Sequence, residues 1–101
     1  MRVTKKSLYC CISYRALEVK NSGILAKLAE KCEREGTTPE IVKVFAALDW
    51  FVDEFPIGGY GKFPKSRPVA WYEKLLAELD EAIEKAYAIL AEQPESRTEV
   101  M

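Results

Sequence analysis

The chain has 101 residues, of which 49% are hydrophobic and 31% charged, with a net charge of −1. Surface scaling gives roughly 5,800 Å² folded against about 16,700 Å² unfolded, so about two thirds of the surface can be buried in one core. The balance argues against disorder and disulfide scaffolds, no apolar run approaches the ~20 residues that span a bilayer, and the absence of histidine removes imidazole acid–base chemistry, Ser-His-Asp and Cys-His nucleophile systems, and histidine metal ligands.

Residues 7–20 admit two readings. As a helix capped by Ser7, they place Leu8, Cys11, Ile12, Ala16 and Val19 on one face. As a strand, Leu8 to Tyr14 has suitable composition but poor alternation, and no second strand is evident to pair with it. The helix is the better reading, and Asn21, Ser22 and Gly23 make the turn after it. A short helix follows over 23–35, with Ser22 as its cap and Gly36 as its stop. Ile24, Leu25, Leu28 and Cys32 point one way, and Lys27, Glu30, Lys31 and Arg34 point to water.

Thr38-Pro39-Glu40 signals the next start. Thr38 can cap, Pro39 suits the first helical position, and Glu40 suits the positive end of the dipole. The helix runs over 39–55, because Pro56 follows. Ile41, Phe45, Leu48, Val52 and Phe55 form a stripe, and Val42, Val44, Ala46, Ala47, Trp50 and Phe51 make the helix apolar nearly all round. Such a helix is central in its fold or shared with another chain.

Residues 56–67 hold three of the five glycines and two of the five prolines. They interleave Tyr60 and Phe63 with Lys62, Lys65 and Arg67. Twelve residues is long for a helix–helix connection, and the segment reads as a flexible loop. Its glycine spacing is not that of a Walker loop, and Phe63 stands where Ser or Thr would follow the lysine.

The last helix spans 68–92, about 37 Å long at 1.5 Å per residue. Val69, Leu76, Ile83 and Leu90 recur every seven residues. Tyr72, Leu79 and Ala86 make a second row, and Leu75, Ala82 and Ile89 flank the seam. Pro94 ends the helix, and 94–101 reads as a frayed tail. The expected fold is all-α: one compact four-helix domain over residues 1–101 with antiparallel neighbours. An α+β form with a short N-terminal strand pair is the alternative.

Charge is segregated along the chain. Residues 1–27 carry six cations against Glu18 alone, and residues 68–101 carry three cations against eight acids. The basic first quarter either joins Lys5, Lys6, Arg15 and Lys20 to the long loop or docks on the acidic last third. Cys10, Cys11 and Cys32 include no CxxC pair and read as small buried apolar residues. An odd cysteine count and an N-terminus that does not read as a secretion signal point to the cytoplasm.

No catalytic constellation emerges, and neither a metal nor a cofactor is expected. Asp49 and Asp53, one turn apart, could share a cation with Glu73, but plain solvation accounts for them. The leading expectation is a non-enzymatic oligomerisation or protein-interaction module, a homo-oligomer in contact through Trp50, Phe51 and Trp71. On that expectation Phe51→Glu lowers the assembly state and leaves helicity intact. The alternative is a small nucleic-acid-associated protein that binds single strands or phosphate through Tyr60, Lys62, Phe63, Lys65 and Arg67.

Overall fold

The computed structural model describes residues 4–59 and 67–92. They form four helices: α1 (Lys5–Ser22), α2 (Ile24–Glu35), α3 (Pro39–Glu54) and α4 (Val69–Ala91). Residues 7–20 lie wholly within α1, and no strand occurs among the described residues. The all-α four-helix reading therefore holds over its alternative.

Local chemistry sets the helix ends. α1 starts two residues earlier than expected because its cap is Thr4. The Ser7 N–H donates to Thr4 Oγ1 at 3.1 Å, and the Thr4 N–H donates to Ser7 Oγ at 3.1 Å. This reciprocal pairing is a capping box. Gly23, at φ 76°, ends α1 and begins α2 in a single left-handed residue. Ser22 still assists, since its Oγ accepts from the Ile24 N–H at 3.3 Å. Thr38 caps α3 as expected, accepting from the Ile41 N–H at 3.2 Å. Pro68 occupies the N-cap position of α4, one residue outside the helix.

Each helix touches the other three. Arg15 of α1 meets Asp80 of α4, and Tyr72 lies close enough to Tyr9 to affect its ionisation. The N-termini of α1 and α4 thus share one end, and the two helices run parallel. α3 runs the other way: its start at Pro39 and Ile41 lies by Ile89, and Val44 and Ala47 lie by Ala82. The antiparallel expectation holds for α3 and α4. The Ile24, Lys27 and Arg34 side of α2 borders Tyr87, Leu90 and Ala91. At 12 residues, about 18 Å, α2 lies against the end of α4.

The core corrects several assignments. In α4 the buried row is Tyr72, Leu75, Leu79, Ala82, Ala86 and Ile89, while Val69, Leu76, Ile83 and Leu90 are only partly buried. The α3 core row is Ile41, Val44, Leu48, Phe51 and Phe55, with Phe45 and Val52 at its margins. In α4 the second row and its flank are thus the core and the first row is its margin, while in α3 Ile41, Leu48 and Phe55 keep their expected place and Val44 and Phe51 replace Phe45 and Val52. In α1 Cys11 faces solvent, and Tyr9 and Ser13 take the core face. Cys10 and Cys32 are half-buried, so none of the three cysteines is a fully buried apolar residue. Lys31, expected in water, is 6% exposed, and its ammonium lies 2.8 Å from Glu35 Oε1. The four-carbon stem supplies the apolar surface that this position buries.

Candidate functional site

The end of the bundle that holds the start of α1, the end of α3 and the start of α4 is aromatic. Tyr9 packs on Phe55 with ring centroids 5.1 Å apart, and Trp50 stands edge-on to Phe51 at 5.0 Å and to Phe55 at 5.8 Å. Trp71 and Tyr72 form another edge-on pair at 5.1 Å. The Tyr9 hydroxyl donates to the Pro56 carbonyl at 3.0 Å, and the Gly59 N–H donates to the same oxygen at 3.0 Å. A Cβ on Gly59 would lie 2.6 Å from that hydroxyl, so glycine is what admits the contact. Burial, with Cys10 and Tyr72 close by, raises the Tyr9 pKa above 10.0. The first residues after α3 are thereby fixed to α1.

The predicted contact residues separate. Phe51 is a core side chain at 3% exposure, which takes it off the surface of the monomer. α3 buries Ile41, Val44, Leu48 and Phe51 within the chain and leaves Val42 and Trp50 exposed. Trp50 remains 43% exposed, and Trp71 is half-buried beneath the Arg67 guanidinium, 5.1 Å from its ring centroid. Tyr60, Lys62, Phe63 and Lys65 lie outside the described residues.

A different surface gathers more exposed apolar area. Tyr14, Leu17 and Tyr87 are 60%, 37% and 56% exposed. They line one groove of about 560 Å³ between α1 and α4, floored by Ile24 and Ile83. It continues past Tyr87 into a second hollow of about 500 Å³ along α2, bordered by Leu90. Ile83 and Leu90 of the partly buried α4 row line these two hollows. Sequence reasoning missed Tyr14, Leu17 and Tyr87. The available signal was weak: two tyrosines on the side of their helices away from the strongest stripe.

The basic start of the chain is partly used internally. Arg15 donates through Nε and Nη2 to Asp80 Oδ1 at 2.9 and 2.6 Å, and reaches Glu18 at 3.5 Å. The hydrogen bond to Asp80, with both acids near, raises its pKa further. Asp49, Asp53 and Glu73 are all exposed, and no group of three metal-ligating side chains occurs among the described residues. No helix among the described residues is long and apolar enough to cross a membrane. No protein-family model matches the chain, and no curated protein or solved structure is significantly similar to it.

Proposed function

We propose that this chain is a non-enzymatic helical interaction module, with the groove between α1, α2 and α4 as its contact surface. One observation carries this reading: Tyr14, Leu17 and Tyr87 converge on a single concavity instead of being scattered. Scattered exposed apolar side chains are ordinary, whereas gathered ones mark contacts. Tyrosines suit such a rim, because the ring buries well and the hydroxyl tolerates water. The test is a photo-crosslinking residue at position 14 of the full chain, with Lys43 on the α3–α4 side as the control position. Adducts should form from position 14 and not from 43. Equal yields from both positions, or none from either, refute the proposal.

A second reading has one observation in its favour. Arg67 lies over Trp71 next to the glycine-rich segment. A cation over an aromatic face is a surface on which a base can stack, so single-stranded nucleic acid or phosphate would bind at that end. Titration with labelled single-stranded DNA and RNA at two salt concentrations tests it. Arg67→Ala should weaken binding to all sequences and flatten the salt dependence. No binding at low salt ends this reading.

A further inference from the structure

We infer that the hollow between α1 and the end of α3 is a binding site for a small aromatic carboxylate, seated with its ring inward and its carboxylate at Lys20. The hollow measures about 180 Å³ and shares only Leu17 with the groove between α1 and α4, so the inference stands apart from the contact surface proposed above. Ala16 and Leu17 of α1 form one wall, and Val52 of α3 with Phe55, Pro56 and Ile57 after it form the other. An apolar cavity of about 150 Å³ takes one benzene ring, so this hollow has room for a ring and little more.

The second wall is held in place by named bonds. The Tyr9 hydroxyl and the Gly59 N–H both donate to the Pro56 carbonyl, at 3.0 Å each. Pro56 is thereby fixed against the bundle, and a ligand is spared the cost of ordering that wall. Leu17 and Ile57, 37% and 48% exposed, present apolar surface that a ring would cover.

Polarity sets the charge of the ligand and its orientation. Ser13 and Lys20 are the polar side chains among the described residues that line the hollow. Ser13 is 3% exposed, and its hydroxyl donates to the Cys10 carbonyl at 3.1 Å. That proton is spent, so the Ser13 end offers an anion no donor. Lys20 is exposed and is the one charged side chain in the described lining. It has no ion-pair partner among the described residues. An ammonium beside an apolar hollow with no carboxylate in its described lining favours a ligand that is anionic at one end and a ring at the other. A cationic ligand would meet like charge at Lys20, and a polar group placed deep in the hollow would lose its water without a donor to replace it.

The probe is phenylacetate, titrated into the isotope-labelled full chain and followed by the backbone amide signals, with phenylacetamide as its neutral counterpart. A ligand this small should bind with a Kd of about 1 mM. The signals of Leu17, Lys20 and Ile57 should move, and those of Lys43 and Tyr87 should stay. An ion pair at an exposed lysine strengthens binding by up to about fivefold, so the amide should bind about two- to fivefold more weakly. Lys20→Met should bring phenylacetate to the level of the amide, Lys20→Arg should keep the difference, and Ile57→Ala should weaken acid and amide alike. Circular dichroism confirms that the variants fold. Absence of a saturable shift overturns the inference, as do shifts centred on Tyr87. Equal affinity for acid and amide, or unchanged phenylacetate binding in Lys20→Met, overturns it as well. Crosslinking from position 14 tests the groove independently of all these outcomes.

Discussion

Replacing Phe51 and Trp50 by alanine, one at a time, separates core from surface on two adjacent residues of α3. Phe51 is 3% exposed, with the rings of Trp50 and Phe55 at 5.0 and 5.9 Å. Removing a buried phenylalanine loses its transfer energy and leaves a cavity, about 3–5 kcal/mol together. Domains of this size hold about 5–15 kcal/mol in total. Phe51→Ala should therefore lower the melting temperature by some 12 °C or more. Trp50 is 43% exposed, so its loss forfeits part of a large buried area and two edge-on ring contacts, about 1–2 kcal/mol. Phe51→Glu adds an unpaired carboxylate to the core, which costs several kcal/mol more. That variant should lose helicity, contrary to what a surface position would show. Urea unfolding followed by circular dichroism measures both alanine variants. A Phe51→Ala cost within about 1 kcal/mol of that for Trp50→Ala refutes the placement of Phe51 and the assignment of the α3 core row.

The contact between α1 and the residues after α3 gives two further predictions. Tyr9→Phe should cost about 0.5–1.5 kcal/mol at neutral pH through the lost hydrogen bond to Pro56. Burial raises the Tyr9 pKa, so its contribution is full below pH 10 and is lost as pH climbs through the raised value. Denaturation at several alkaline pH values should show the gap between wild type and Tyr9→Phe narrowing above pH 10, and a constant gap refutes it. Gly59→Ala should displace the Tyr9 hydroxyl, since the new Cβ would lie 2.6 Å from it. Its cost should therefore fall in a Tyr9→Phe background, and additive costs in a double-mutant cycle would show that the two groups are uncoupled.

The helices were legible because their signals are local. Thr38-Pro39 starts α3, Gly36 ends α2, and an apolar period near 3.6 runs through α4. Cap chemistry and periodicity depend on neighbours a few residues away, so they survive in a single sequence. The N-cap of α1 was misplaced because Thr4 and Ser7 are both good caps and hydrogen-bond each other.

The centre of each apolar face was not legible. α4 has three adjacent apolar rows, and periodicity gives the width of such a face but not its midline. The midline depends on where α1 and α3 sit, which brings residues such as Arg15 and Asp80 together across 65 positions of sequence. The same holds for the candidate site. Phe51 and Trp50 are neighbours in sequence and equally apolar in kind, yet one lies in the core and the other is half outside. Tyr14, Leu17 and Tyr87 form a surface only because α1 and α4 run parallel and bring these side chains to one groove. The sequence by itself determined four helices, their approximate limits and a segregated charge. Tertiary structure alone decided which rows are buried, that Lys31 belongs inside, and where apolar surface is left over, because burial depends on long-range packing that no local pattern encodes.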